Sequence, residues 1–424
     1  MVANIMSRLS FVLVRKCLKP LQIVRTFTSL NTVVAEQDKL LVQNKNPLPT
    51  GSKRTPLFNF HMSHQGRMID FSGWQLPVQY SASIVQSHIH TRAHSSLFDI
   101  SHMLQIKIHG KDRIKFIEQL VVSDIENLNI NSACLTLYTN KMGGIIDDLI
   151  ITKTTDYLYV VSNAGRAEND LRHLNEQLEK SNDLDVNIEV LSNQALLALQ
   201  GPSSSVVLQK FVPFDLATLA FMESASTTFS NTIQCRINRS GYTGEDGFEI
   251  SLDATDAEQV ASLLLESSEV ALAGLGCRDS LRLEAGLCLY GNDIDERTTP
   301  VEANLTWTIG KRRRELADFP GADIILRQIR DGVERKRVGI VTNGQCPRSG
   351  SAVIDQKDEK IGLITSGCPS PSLKYNIGMG YVSTANARIG TGVYLVVKNK
   401  KIQGNIVKLP FVPSKHYKPN ATKK

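Results

Sequence analysis

The chain carries seven cysteines, at positions 17, 134, 235, 277, 288, 346 and 368, and no two of them stand in C-x-x-C spacing. That absence removes the ligand pattern of a structural zinc site and the framework of a disulfide-stapled domain, and it suits a reducing compartment. No run of about 18 uninterrupted apolar residues occurs, so no membrane span is expected. No G-x-G-x-x-G follows a predicted strand, which leaves a dinucleotide-binding domain unsupported. Residues 1–35 contain no acid: Arg8, Arg15, Lys16, Lys19 and Arg25 all precede the first one, Glu36. These five supply all but one of the formal net charge of +6. A body so near neutrality gives no electrostatic case for nucleic acid.

What is present fits an ordinary globular protein of two or three domains: 424 residues, 42% hydrophobic and 21% charged. The basic, acid-free and hydroxyl-bearing start resembles a mitochondrial transit peptide, expected over residues 1–27. Arg25-Thr26-Phe27 followed by Thr28-Ser29 resembles a matrix-processing site. Residues 28–54 are polar and aperiodic and are expected to form a flexible tether. Order is expected from about Thr55-Pro56-Leu57.

Leu104, Ile106 and Ile108 alternate with Gln105 and Lys107, the period-2 mark of a half-buried strand. Lys111 to Leu120 reads as a helix with Ile114, Ile117 and Val121 inward. Leu135 to Tyr138 and Ile145 to Thr152 read as a hairpin around Asn140 to Gly144. Tyr157 to Ser162 is strand-like, and Leu171, Leu174 and Leu178 mark one helix face. Leu184, Val186, Ile188 and Val190 alternate strictly, and Ala195 to Leu199 gives a further strand. Helices are expected over Ala257 to Ser267 and Arg278 to Leu289. Lys311-Arg312-Arg313-Arg314 reads as a solvated charge run near a domain border. From Val338 the chain turns strand-rich: Val338 to Val341, Lys360 to Thr365, Gly378 to Val382, Gly392 to Val397 and Lys401 to Val407. Gly, Pro and Asn separate these runs, as in a small β-barrel. Short strands mixed with helices and hairpins predict α+β layers and not a doubly wound parallel sheet.

Three stretches carry candidate chemistry. In Gly143-Gly144-Ile145-Ile146-Asp147-Asp148-Leu149-Ile150, adjacent acids on a strand point to opposite faces. They are therefore not expected to serve one site together. A carboxylate among isoleucines costs several kcal/mol, roughly, unless it is paired. One acid can be a structural cap while the other faces a ligand; the spacing leaves open which. In Arg239-Ser240-Gly241-Tyr242-Thr243-Gly244-Glu245-Asp246-Gly247-Phe248-Glu249-Ile250, three glycines within seven residues fix a tight loop. Phe248, Ile250 and Leu252 take the core face, which turns Glu249 the other way, where a glutamate is usually just solvated. The glycine-rich loop, however, brings backbone close to something, and a carboxylate there can accept from a ligand's amino group. Arg278 and Arg282 share one helix face, and guanidinium groups pair bidentately with carboxylates. Taken alone, those two favour a surface ion pair with Asp279 or Glu284. The aromatics of Asp70 to Tyr80 read first as core, and His102 as structural.

Together these segments resemble the aminomethyltransferase (T-protein) family of the glycine cleavage system. The matching stretches are RTPLFNFH, DFSGWQLPVQY, SSLFDISHM, GGIIDDLI, YVVSNAG, ALQGP, GYTGEDGFEI, RDSLRLEAGLCLYGNDID, ITSGCPSPSLKYNIGMGYV and LPFVP, in order over roughly residues 54–417. The resemblance implies a folate-binding region over 55–315, built of ferredoxin-like α+β units around a central hole, and a β-barrel over 330–417. It implies that a lipoyl carrier protein (H-protein) delivers an aminomethyl group on its dihydrolipoyl sulfur. Tetrahydrofolate, a co-substrate, takes the one-carbon unit to give 5,10-methylenetetrahydrofolate, with ammonia and the reduced carrier released. The decarboxylase and dihydrolipoyl dehydrogenase of the system are implied partners, the mitochondrial matrix is the implied location, and no metal is implied.

The same resemblance assigns Asp148 as the catalytic acid, beside nitrogen 10 of the folate. It places Glu249 on the pterin's amino side with Tyr242 packed nearby, gives Arg278 a hold on the substrate, and sets Asn163 in the pocket lining. A tyrosine expected three residues after the PFVP proline is replaced by His416, with Tyr417 next, so either ring is a candidate for the folate tail. Rival families fit less well. A folate-binding iron–sulfur cluster assembly factor carries a K-G-C-Y-x-G-Q-type motif, where this chain has Leu287-Cys288-Leu289-Tyr290-Gly291-Asn292-Asp293. Dimethylglycine and sarcosine dehydrogenases need a preceding FAD domain, for which only about 27 residues are expected between the processing site and the matching region. An inactive folate-binding scaffold is disfavoured by the presence of Asp148, Glu249 and Arg278.

Overall fold

A computed structural model describes residues 51–419. The expected transit peptide and most of the tether lie outside the described residues. The tether's expected end is already a strand: Lys53–Arg54 pairs in parallel with Trp74–Gln79, which also pairs with Arg67–Phe71.

Two larger sheets follow. The first has five strands in the order Ala133–Thr139, Ile145–Lys153, Leu158–Ser162, Leu104–His109 and Asn187–Val190. Ile106, Ile108, Leu149, Ile151 and Val160 bury one face of it against Phe116 and Ile117 of the helix Arg113–Glu118 and Leu174 of the helix Ala167–Lys180. The strict alternation from Leu184 overstates its strand. Only Asn187–Val190 pairs, along one neighbour at the sheet edge, and Val190 is exposed.

The second sheet has six strands in the order Ser224–Phe229, Ile233–Asn238, Gly247–Asp253, Gln194–Gln200, Ser95–Asp99 and Val270–Leu272. Phe248, Ile250 and Leu252 join Leu197 and Leu199 and the helix Ala257–Leu265 in its core, as their alternation predicts. Ser224–Phe229 and Ile233–Asn238 have no sequence-based expectation; small polar residues mask the period of the first, while the second alternates, with Ile233, Cys235 and Ile237 in the core.

The helix expected over Arg278–Leu289 runs instead over Leu275–Glu284. Gly274 precedes it because a Cβ there would lie 2.5 Å from the Val78 carbonyl oxygen, and Gly286, with φ +67°, turns the chain out of it. This helix packs on the strand Trp74–Gln79, on the helix Ile84–Ala93 and on the C-terminal module. That module is a closed barrel of Arg335–Thr342, Tyr375–Ser383, Lys360–Ser370, Ala352–Ile354, Gly392–Val397 and Lys400–Val407, filled by Val338, Ile340, Val353, Ile364, Val393 and Leu395. The α+β class with a small C-terminal β-barrel is therefore the architecture observed.

One expectation fails outright. The 311–314 run is not a solvated face: Arg313 is buried and pairs with Glu118 at 3.0 Å, and Arg312 pairs with Glu118 and Asp124 at 2.5 and 2.9 Å. Arg314 donates to the Thr306 carbonyl. Lys311 alone stays in solvent, while Arg312 and Arg313 fasten the short helix Lys311–Leu316 to the end of the helix Arg113–Glu118 and the loop that follows it.

Candidate active site

The acid pair is placed by the hairpin before it. Asn140 Oδ1 accepts from the backbone N–H of Met142 (2.9 Å) and Gly144 (3.0 Å), and its Nδ2 donates to the Glu296 carbonyl at 2.9 Å. Gly143 has φ +79°, and any Cβ on Gly144 would collide with the Glu296 carbonyl, so both glycines are dictated by the turn. Ile145 then donates to the Thr298 carbonyl at 3.0 Å, which fixes where the strand Ile145–Lys153 begins.

Alternation does the rest. Asp147 shares the fully buried face with Ile145, Leu149 and Ile151, while Asp148 lies half-buried between Ile146 and Ile150. The expectation that the two acids have nothing to do with one site is corrected by Asn163. It follows the strand Leu158–Ser162 one register step beyond the Leu149–Ser162 pair, at the sheet's open end. From there its Nδ2 lies 2.9 Å from Asp147 Oδ1, 2.9 Å from Asp148 Oδ1 and 3.1 Å from the Asp148 carbonyl, while its backbone N–H donates to Asp147 Oδ2 at 3.2 Å. Loss of hydration pushes the Asp148 carboxyl up to about 6, although Asn163 favours its ionised form. An acid poised there can take or give a proton near neutrality.

Across from this pair the glycine-rich loop and the helix Leu275–Glu284 supply the other groups. Glu249 faces away from Phe248 and Ile250, as expected, and accepts from Ser240 Oγ at 2.8 Å. Burial raises its proton affinity, with the Arg278 charge and Ser240 opposing. The Arg278 guanidinium lies 4.7 Å over the Tyr242 ring, and its Nη1 is buried with no acceptor. Burial also lowers the proton affinity of Arg278, opposed by Glu249 and Tyr242. The Tyr242 hydroxyl donates to the Cys288 carbonyl and is held protonated by burial, within the fields of Arg278 and Asp148. Asp148, Asn163, Tyr242, Glu249 and Arg278 thus form one connected neighbourhood.

The surface ion pair favoured by the residues alone belongs to Arg282, not Arg278. Arg282 is buried, 2.6 Å from Asp293, 2.8 Å from Asp279 and 2.8 Å from Ser366 Oγ of the barrel. Glu284 pairs instead with His88 and Arg92. His102 is buried edge-on to Phe71 with rings 5.7 Å apart, and burial lowers its pKa to about 4, so it stays neutral beside Arg278. Tyr80 is core, bonded to His61 Nδ1 at 2.8 Å.

The C-terminal tail returns to the glycine-rich loop, where Lys415 donates its N–H to the Gly244 carbonyl at 2.8 Å. His416 stacks on Phe221 at 3.8 Å, and the Tyr417 ring lies 3.7 Å from the Arg239 guanidinium, itself locked to Asp246. Neither ring is among the described partners of Asp148, Glu249 or Arg278. Sequence reasoning missed Asp170, fully buried behind Asp147, because that helix was read only through its leucines. It also missed Asn238, whose buried Oδ1 has no partner, because its strand went unrecognised. Among the described residues no group of three or more His, Cys, Asp or Glu is arranged to hold a metal ion, and no helix is long and apolar enough to cross a membrane.

An α+β body that carries a half-buried acid and a partly buried arginine on either side of Tyr242, joined to a six-stranded barrel, is matched by two family models. The GCVT N-terminal domain covers residues 57–313 and the glycine cleavage T-protein C-terminal barrel domain covers residues 335–413. The chain belongs to the glycine cleavage T-protein family. Its enzyme class is that of an aminomethyltransferase. It is similar to the mitochondrial aminomethyltransferase of Homo sapiens, 53% identical over 368 residues that cover 86% of this chain and 91% of that protein. The mitochondrial aminomethyltransferase of Solanum tuberosum is 48% identical over 372 residues, covering 87% and 91%. The crystal structure of glycine cleavage system aminomethyltransferase T from Bartonella henselae superposes with a TM-score of 0.80 at 38% identity, covering 87% of this chain and all of that one.

Proposed function

We propose that this chain moves the methylene carbon of an aminomethyl-dihydrolipoyl group, presented by a lipoyl carrier protein, onto tetrahydrofolate, with release of ammonia and formation of 5,10-methylenetetrahydrofolate. Two observations carry this, on either side of Tyr242: the Asp148 carboxyl poised at about 6, and a buried Arg278 nitrogen that has no acceptor. A buried donor left unmatched is costly, by roughly 1–3 kcal/mol, unless a ligand completes it.

The groups fit a reduced folate. Arg278 would take a carboxylate of the glutamate tail or a polar edge of the ring, and Glu249 would accept from the pterin's amino side. Tyr242, fixed at both ring and hydroxyl, would wall the pterin. Tetrahydrofolate supplies the nitrogens that accept the carbon. Asp148 orients the pterin and carries the proton inventory at its carboxylate, Asn163 aims that carboxylate, and the surrounding isoleucines exclude water. His416, stacked on Phe221, or Tyr417, over Arg239, would be the ring that meets the folate tail. The decarboxylase and dihydrolipoyl dehydrogenase would act on the same carrier before and after this step. Relatives named mitochondrial and the acid-free basic start support the matrix as the site of action.

The test is purified protein incubated with aminomethylated carrier and tetrahydrofolate, with methylenetetrahydrofolate and ammonia measured together. Stoichiometric, folate-dependent release of both is expected. Ammonia release no faster than in the absence of folate refutes the assignment.

A further inference from the structure

Behind Asp148 lies a second acid pair. Asp147 and Asp170 are both fully buried and face each other within hydrogen-bonding reach, from the strand Ile145–Lys153 and the helix Ala167–Lys180. Asp170 Oδ2 accepts from Ser162 Oγ at 2.7 Å, while its Oδ1 is buried without a protein donor. No cation touches either acid among the described residues. Arg166, at the helix start, donates to the Ile146 carbonyl (3.1 Å) and Glu296 (2.6 Å), and from there its charge still opposes, without overcoming, the rise that burial imposes on Asp170. The other titratable groups around the pair are Asp148 on the same strand, Tyr138 on the neighbouring strand, His173 on the helix and Tyr290 beyond it. Tyr138 has a buried hydroxyl with no partner, and its ring meets that of His173 edge-on at 5.5 Å.

Two carboxyls in contact in a dry site cannot both ionise, so one proton stays between them. Its consequence runs through Asn163, whose Nδ2 has two protons and lies against three acceptors, on Asp147 and Asp148. A fully charged Asp147 would compete more strongly with Asp148 for the Asn163 amide, because charge-assisted hydrogen bonds are about twice as strong as neutral ones. A proton shared with Asp170 weakens that pull and leaves one N–H for Asp148.

We propose that Asp170 is a positioning residue for Asp148: it shares a single proton with Asp147, and the acid pair holds the Asn163 amide so that Nδ2 is presented to the Asp148 carboxylate. The inference rests on Asp148 being the acid–base group proposed above. In Asp170→Asn the new amide donates to Asp147 and the Ser162 contact keeps an oxygen acceptor. That donor then takes the place of the shared proton, and Asp147, ionised against its burial by the amide, sets a full charge next to Asp148.

The experiment is the pH profile of folate-dependent turnover for the unaltered chain and for Asp170→Asn, with thermal stability measured alongside. The acid limb of kcat/KM is expected to move up by about one pH unit, the size of effect a neighbouring like charge produces, with the KM for tetrahydrofolate held within about twofold. A profile superimposable on that of the unaltered chain overturns the proposal, whatever happens to stability. Carbon-13 carboxyl NMR of aspartate-labelled unaltered protein gives an independent check that needs no substrate. One protonated carboxyl of the Asp147–Asp170 pair is expected at neutral pH, absent from Asp170→Asn. Full ionisation of both in the unaltered chain also overturns it, and decides the matter even if the variant fails to fold. Failure of the functional assignment shows up separately, as no folate-dependent product from the unaltered chain.

Discussion

Replacing Asp148 by asparagine keeps the shape and the acceptor for Asn163 but removes the proton. Positioned acid–base groups contribute about 10²–10⁴-fold, so turnover should fall by that factor, equivalent to about 2.7–5.4 kcal/mol of barrier. The KM for tetrahydrofolate should change little, because Arg278 and Glu249 remain in place. The unaltered chain should show the matching pH signature. With the Asp148 carboxyl near 6, about nine-tenths is ionised at pH 7 and about one-tenth at pH 5, so kcat/KM should drop about tenfold between the two. Stability should move the other way. A folded-state value raised above the unfolded one, about 3.9, means that ionised Asp148 opposes folding at neutral pH. Asp148→Asn should therefore unfold at the same or a higher temperature at pH 7 while losing activity. Stopped-flow turnover from pH 5 to 8 with calorimetry on the same samples checks all three. Retention of more than about a tenth of the activity, or a flat acid limb in the unaltered chain, would refute a proton-handling role.

Arg278→Ala removes a hydrogen-bonding cation, and bonds to charged groups contribute about 1.5–3 kcal/mol. The KM for tetrahydrofolate should rise by about 10- to 100-fold with a smaller effect on kcat, and unchanged Michaelis constants for both substrates would take it out of the site. Glu284→Gln breaks the buried tie between the central helix and the barrel turn, where Glu284 meets His88, Arg92, Ser370 and Ser372. Loss of one partner from such a pair costs about 3–5 kcal/mol, read as a lowered urea midpoint. Burial works against ionised Glu284, yet His88, Ser370 and Arg92 hold its carboxyl down at about 2. Its contribution should be present above about 4.3, the unfolded value, and vanish as pH falls through about 2. A urea midpoint of Glu284→Gln equal to that of the unaltered chain at pH 7 would contradict the clamp. Gly144→Ala drives a methyl into the Glu296 carbonyl. It should cut soluble yield or melting temperature sharply, and a variant as stable as the parent would mean that the hairpin is not pinned there.

Elements whose side chains alternate cleanly were legible. Ile106 and Ile108, the Phe248–Leu252 run and most of the barrel strands face the core as their period requires. Two kinds of element escaped. The strand Ser224–Phe229 puts small polar side chains on a half-covered sheet, where burial leaves little pattern to read. Ile233–Asn238, by contrast, does alternate, with Ile233, Cys235 and Ile237 in the core, and was legible but not read. The short barrel strand Ala352–Ile354 has too few residues for a period. The 311–314 run was misread because composition reports charge and not its partner. Glu118 and Asp124 lie nearly two hundred residues upstream, and only the fold brings them to the arginines.

The site shows the same division at finer grain. That Asp147 and Asp148 occupy opposite faces follows from strand geometry alone, and so does the assignment of the half-buried face to Asp148 once the first large sheet's core is known. What alternation cannot supply is a residue that works around the end of a sheet. Asn163 does this because Leu158–Ser162 stops one register step short of Asp148, so its amide is no longer committed to one face and meets both acids. Two acids that point apart can therefore act on one proton inventory, the outer one against the ligand and the inner one through an amide.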